Sequence, residues 1–257
     1  MTTWILLRGL TREAGHWGRF ILDFGAAMGA DAVVVAVDLP GNGSLHGQPS
    51  PWRVQDLLGA CRSQLRQAGH RPPFHVLAMS LGAMVAVEWM QQCPDEVAAC
   101  VLINTSLRGF SPFYRRLRWR NYGRLLALAR VWHQPLRAEA LIHRLTSSQP
   151  EGRVAAVRDW AALRTQRPVS RPNALRQLAA AALYRPAIAP PSMPVLLLAS
   201  RGDGLVHCGC SAAIAGAWGC ALVLHPASGH DLPLDDPPWV IASVQAWQQE
   251  LKRPADH

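Results

Sequence analysis

Ser80, Asp203 and His230 have the residue types and the chain order for nucleophilic acyl chemistry. A serine hydroxyl is a poor nucleophile at neutral pH. It needs a base to take its proton, and the base needs a carboxylate to hold its ring. Ser80 lies in "LAMSLGAMVAVEW", just after the apolar run "FHVLA" and just before a helix-like stretch. A sharp strand-to-helix turn forces such a serine into strained backbone angles, so that its Oγ clears the sheet. The same turn points the free N–H groups of the following helix at developing negative charge. The neighbours must be small, because strand and helix approach closely there. Ala78-Met79-Ser80-Leu81-Gly82 fits the form G-x-S-x-G with alanine, one methyl larger, at the first small position. Asp203 follows the strand-like "PVLLLAS" and His230 follows the strand-like "ALVLH", so each falls just past a strand.

Other residues compete for these roles. Asp38, in "VDLPGNG", reads as a turn former, and Asp231 adjoins His230 and cannot easily reach the far ring nitrogen. His225 falls inside the last strand, where a satisfied core histidine is the simpler reading, and His16 reads as packing at a helix start. Met79, Trp17 and Trp119 are expected to line the substrate pocket, together with Leu10 and Leu81, which implies an apolar acyl or alkyl group near the serine.

The elements that must hold these groups alternate along the first hundred residues. "WILLRG", "DAVVVAVDLPGNG", "PFHVLAMS" and "VAACVLINTS" read as strands. Between them, "AGHWGRFILDFGAAMGA" has helical spacing, and "SPWRVQDLLGACRSQLRQAG" reads as a helix opened by a serine cap and a proline. Strands of this kind are apolar on both faces and suit a parallel sheet covered by helices on both sides. Residues 108–185 are helical in composition, amphipathic and without a convincing strand. "MPVLLLASRGDG" restarts the strand pattern, followed by a helix near 209–218, the strand and loop "CALVLHPASGHDL", and a final helix "DDPPWVIASVQAWQQELKR" with Asp at its cap and Pro in its first turn. The expected layout is an α/β core over 1–106 and 189–257, interrupted by a helical cap over 107–188.

With 257 residues, 49% of them hydrophobic, the chain can bury a large core. Only the tail "KRPADH" reads as disordered. No apolar run reaches the ~18 residues that would suggest a membrane helix. The start "MTTWILLRG" lacks the layout of an export signal. With that start, the six scattered cysteines read as reduced thiols in a cytoplasmic protein. "HCGC" at 207–210 has no second cysteine pair or histidine pair at zinc spacing, so neither a metal nor an organic cofactor is expected. The net charge of +9 is uneven: from Arg108 to Arg185 sixteen arginines face only Glu139, Glu151 and Asp159, while the remainder of the chain carries −4. Arg118, Arg120 and Arg124 mix with Trp119 and Tyr122, but no nucleic-acid fold signature accompanies them.

"LLRGL", "VVAVDLPGNG", "AMSLG", "SRGDGLV" and "SGHDLPLDDPPWVIASVQAW" together resemble the α/β-hydrolase superfamily over nearly the whole chain. Within it, the chain looks most like the capped carboxylesterases typified by the pimeloyl-carrier-protein methyl esterases. The resemblance implies a mostly parallel sheet flanked by helices, with the order Ser, Asp, His. Ser80 would be the nucleophile, His230 the general base and acid, and Asp203 the orienting acid. The backbone N–H groups of Leu10 and Leu81 would form the oxyanion hole. The usual His-Gly after the first strand is Arg8-Gly9 here, which bears on the Leu10 assignment. The implied substrate is a carboxylic ester or acyl thioester, and an acidic acyl carrier protein would fit the arginine-rich cap. Carbon–carbon bond hydrolysis, acyl transfer and perhydrolysis are other chemistries of the same triad, and a non-catalytic ligand-binding module is the remaining alternative.

Overall fold

A computed structural model describes residues 2–253; the expectation for the last four residues of the tail lies outside them. Six strands form one all-parallel sheet: β1 (Thr2–Leu7), β2 (Ala32–Val37), β3 (Phe74–Met79), β4 (Val97–Ile103), β5 (Val195–Ser200) and β6 (Ala221–His225), in the order β2-β1-β3-β4-β5-β6. The central β3, β4 and β5 are almost entirely buried, as two-faced apolar runs require, whereas the edge strands β2 and β6 are half-exposed.

Helices α1 (Phe20–Met28), α2 (Val54–Gln67) and α3 (Leu81–Gln92) follow β1, β2 and β3 in turn. The pleat sends alternate residues to opposite faces. Val76 and Ala78 join Leu57, Leu58 and Trp89 on one side, and Leu77 and Met79 join Trp4, Phe20 and Phe24 on the other. α2 begins at Val54 rather than at the expected Ser50-Pro51. The Ser50 amide is instead taken by Asn173 Oδ1 at 2.9 Å, so the predicted cap residue serves a long-range contact.

Between β4 and β5 the chain forms α4 (Phe113–Arg116), α5 (Tyr122–Arg130), α6 (Pro135–Thr146), α7 (Arg153–Gln166) and α8 (Arg171–Leu183). Leu128, Trp132, Ala138, Ile142, Trp160 and Val169 make a separate small core among them. Ala180 and Tyr184 at the end of the insertion belong instead to the main core. After β5 come α9 (Gly209–Trp218), α10 (Leu232–Asp235) and α11 (Pro237–Lys252). Asp236 caps α11 as its sequence predicts, its side chain accepting from Trp239 N–H at 3.1 Å. Among the described residues no helix is long and apolar enough to cross a membrane.

Candidate active site

β3 ends at Met79 and α3 begins at Leu81, so Ser80 alone makes the turn, at φ 53° and ψ −115°. A positive φ at a non-glycine residue costs of order 1–3 kcal/mol and persists only where the surroundings enforce it. Here they do: Ser80 N–H donates to Ile103 C=O at 3.0 Å, and the Ser80 carbonyl accepts from Met84 N–H and Thr105 Oγ1. Gly82 is the small residue the turn requires, since a Cβ there would lie 2.5 Å from the Leu7 carbonyl and 2.6 Å from that of Arg8. Ala78 at the other small position is fully buried.

Asp203 and His230, in the loops after β5 and β6, are brought together. His230 Nδ1 lies 2.7 Å from Asp203 Oδ2, with both side chains almost fully buried. Asp203 Oδ1 accepts from Leu205 N–H and Val206 N–H, which leaves Oδ2 for the ring. Burial alone would lower the affinity of His230 for a proton. The charge and hydrogen bond of Asp203, with the charge of Asp231, outweigh burial and an opposing push from Arg8, so the imidazole is held above its ordinary pKa. Among the described residues no hydrogen bond joins Ser80 Oγ to His230; catalytic contacts of this kind often tighten only when substrate is bound.

Leu81 opens α3, and its N–H has no hydrogen-bond partner among the described residues; nor has that of Leu10. Gly9 brings the turn after β1 against the serine, since a Cβ at Gly9 would stand 3.1 Å from Ser80 Cβ. The next residues are pinned from α8: Gln177 Oε1 accepts from Thr11 N–H at 2.8 Å, and Gln177 Nε2 donates to Asn42 Oδ1.

Arg8 does alter this loop. It forms a buried two-pronged ion pair with Asp231, with N–O distances of 3.0 and 2.5 Å. The rival acid is thereby occupied. Asp38 is a turn former, accepting from Ala14 N–H, Ser44 N–H and Ser44 Oγ. His225 is satisfied by Asp236 and by the backbone N–H groups of Ala227 and Ser228.

Trp17 and Met79 are buried on the far-side core, under the Arg8 guanidinium. Trp119, also expected to line the pocket, is 73% exposed, while Leu128 and Trp132 are buried in the insertion's own core with Leu125 packed against it. A groove of about 650 Å³ runs along α6 and α7, lined by Gln134, Leu136 and Thr165 among others, and neither Ser80 nor His230 borders it.

Three positioning residues escaped sequence reasoning. Asn104, at φ 44°, donates from Nδ2 to the His230 carbonyl at 2.7 Å and accepts from Ser200 N–H, linking the ends of β4 and β5 to the histidine loop. Asp235 accepts from Gly229 N–H, Ser148 N–H and Ser147 Oγ. Arg118 donates to the Asp203 carbonyl at 2.8 Å. Asn104 and Arg118 pair only with residues distant in sequence, and Asp235 joins Gly229, six residues back, to Ser147 and Ser148 of the insertion.

Residues 4–243 match the model of the alpha/beta hydrolase family. The chain belongs to this family and is an enzyme of the hydrolase class. It is similar in fold to a membrane phospholipase A described as a bacterial virulence factor, with 20% identity, TM-score 0.80 and coverage of 98% of this chain and 80% of the other. It is also similar to a thermophilic esterase from Thermogutta terrifontis, with 18% identity, TM-score 0.75 and coverage of 98% and 91%. The esterase RhEst1 from Rhodococcus sp. gives 20% identity, TM-score 0.75 and coverage of 97% and 91%. At these identities the likeness is one of fold. No curated protein matches the chain in sequence.

Proposed function

We propose that the protein is a serine hydrolase that cleaves a carboxylic ester or thioester through an acyl-serine intermediate. The observation that carries this reading is the buried 2.7 Å pairing of His230 Nδ1 with Asp203 Oδ2, in the loops beside the strained Ser80 turn. Asp203 fixes the ring so that Nε2 is the basic nitrogen. Ser80 Oγ attacks the carbonyl carbon as Nε2 takes its proton. The oxyanion is met by the N–H groups of Leu10 and Leu81, where losing one donor typically costs about 2.7–4 kcal/mol of transition-state stabilisation. The imidazolium then protonates the departing alcohol or thiol, and a water deprotonated by Nε2 releases the acyl group. Two of the proteins similar in fold are esterases, which supports ester cleavage as the first reading; carbon–carbon hydrolysis, acyl transfer and perhydrolysis are the other chemistries open to the same triad. In this reading residues 107–188 act as a cap on the core formed by 1–106 and 189–257, and the six free thiols suit a cytoplasmic location.

The test is covalent labelling by a fluorophosphonate, together with turnover of p-nitrophenyl esters of increasing chain length. Labelling should vanish in Ser80→Ala, and ester turnover should fall by about 10⁴-fold or more. Unchanged labelling would reject the nucleophile, and ligand binding with no turnover in the parent protein would favour a non-catalytic module.

An acyl group presented on an acidic carrier protein is a second reading, favoured by one surface. Residues 107–134 contain seven arginines and no acid. Arg108, Arg115, Arg120, Arg124 and Arg130 are exposed, and none of the five forms an ion pair among the described residues. Attraction of this kind raises association rates and weakens with salt. The expected result is a higher kcat/KM on the carrier-linked acyl group than on the free ester, falling as salt rises. Equal values with no salt slope reject the carrier.

A further inference from the structure

We infer that Arg8 is a positioning residue acting through Asp231: the buried ion pair ties the oxyanion turn to the histidine loop and sets a fixed cation against the Asp231 carboxylate, next to His230. This inference rests on the serine-hydrolase reading of the site.

The geometry is specific. Arg8 and Asp231 stand 223 residues apart in the chain, yet two guanidinium N–H groups meet the two carboxylate oxygens at 3.0 and 2.5 Å. Each partner is the immediate neighbour of a working part. Arg8 precedes Gly9, which lies against Ser80, and Leu10, whose N–H is the oxyanion donor; Asp231 follows His230. The guanidinium is itself held, with Cζ 4.7 Å from the centroid of the Trp17 ring and Nη1 3.7 Å from Met79 Sδ. Asp231 N–H donates to the Thr146 carbonyl, so the histidine loop is fixed on its other side by the insertion. A planar fork fixes both distance and orientation, which a point charge does not.

The electrostatics separate this role from simple ballast. His230 is faced by Asp203 from the loop after β5, by Asp231 from its own loop and by Arg8 from the turn after β1. Arg8 also acts on Arg12 and His16, and Asp231 on His143. Asp231 makes His230 more basic and Arg8 makes it less so. An arginine keeps its charge even when its partner is lost. Neutralising Asp231 alone therefore leaves a bare buried cation beside the imidazole, and neutralising both leaves Asp203 as before.

The test is a cycle on the whole protein, read by NMR titration of isotope-labelled histidine, with the His230 signal assigned by its absence in His230→Gln. The titration midpoint should fall in Asp231→Asn and return to that of the parent in Arg8→Met/Asp231→Asn. Arg8→Lys should keep the parent midpoint, while its plateau kcat on p-nitrophenyl acetate falls by about 10- to 100-fold with KM little changed, as expected for misplaced but intact catalytic groups. A midpoint that stays put in Asp231→Asn overturns the electrostatic half, and full kcat in Arg8→Lys overturns the positioning half. If Asp231→Asn does not fold, Arg8→Lys and the doubly neutral variant carry the test, both halves then being read against the parent. The NMR arm needs no turnover. A failure of the serine reading would thus show as activity retained in Ser80→Ala, independently of the titration.

Discussion

Two buried histidines lie on either side of the turn after β1, and their surroundings differ in sign. His230 is 3% exposed and faces Asp203 and Asp231; His16 is 7% exposed and lies at the seam with the insertion. At that seam Arg12 Nη1 is 2.6 Å from His16 Nε2, and Glu13 N–H donates to His16 Nδ1. Both ring nitrogens of His16 therefore face donors; a neutral imidazole can accept at one of them and a doubly protonated ring at neither. Burial, then the charges of Arg12, Arg8 and Arg164, drives its pKa well below the ordinary value, whereas His230 is held above it. Burial is common to both, so the neighbours decide. In the proposed mechanism the His230 ring gains and loses a proton, while the His16 ring is held toward its neutral form within the packing.

The same contrast holds for the acids. Asp203 serves one imidazole, whereas Glu139 serves two buried cations, accepting from Arg12 at 2.7 Å and from Arg164 at 2.6 Å. Those guanidiniums stack over Trp160 and Trp132. Burial is the leading influence on Arg12 and lowers its pKa despite the Glu139 pairing.

Asp203→Asn should produce the largest effect, and it should be on rate. An asparagine oxygen can still accept from Leu205 and Val206, but its amide would present a donor to His230 Nδ1 and select the wrong tautomer. The expected loss is about 10⁴-fold in kcat with a largely unchanged melting temperature, measured by ester hydrolysis and calorimetry. Glu139→Gln should reverse that pattern. Leaving two buried cations without their anion costs about 3–5 kcal/mol of stability, seen as a lower denaturant midpoint, with a far smaller change in kcat. Equal effects of the two variants on rate would dissolve the distinction between site and seam.

The smallest expected effect is in pH dependence, where the two histidines act in opposite directions. The unfolded imidazole titrates near about 6.5. His16 is harder to protonate in the folded state, so stability falls as pH drops below that value toward the lower folded one; His16→Gln should flatten this acid slope. His230 is easier to protonate when folded. Its contribution is therefore complete below the ordinary value and lost as pH rises through the raised one. Turnover should climb over that same upper window, because only the neutral ring accepts the serine proton. Urea titrations and kcat/KM profiles across pH would show the two slopes, and slopes of one sign would contradict the comparison.

The chain exposes its architecture and its reactive residues more readily than their supports. Ser80, Asp203 and His230 follow apolar strands, and strand runs with a small-residue turn are local patterns. Strand alternation puts Met79 with Leu77, on the face opposite Ala78, and there it packs with Trp4 and Phe24. Trp119 is a large apolar residue that is 73% exposed, and residue type alone does not reveal what, if anything, covers it. Arg8–Asp231, Arg12–Glu139 and Asn104–His230 are pairings over 223, 127 and 126 residues, and no local window of sequence contains both members. The departure from His-Gly at Arg8 was the one visible trace of them.

The insertion is fastened to the core at telling places. Its Ser147 and Ser148 share the Asp235 carboxylate with Gly229, next to His230, while Arg118 and Asn121 bind the carbonyls of Asp203 and Gly204. It is thus harnessed to the two loops that bear His230 and Asp203. In the proposed reading of the insertion as a cap, any swing of these helices either snaps those tethers or drags both loops with it, so admitting a guest and tuning the machinery would be a single mechanical event.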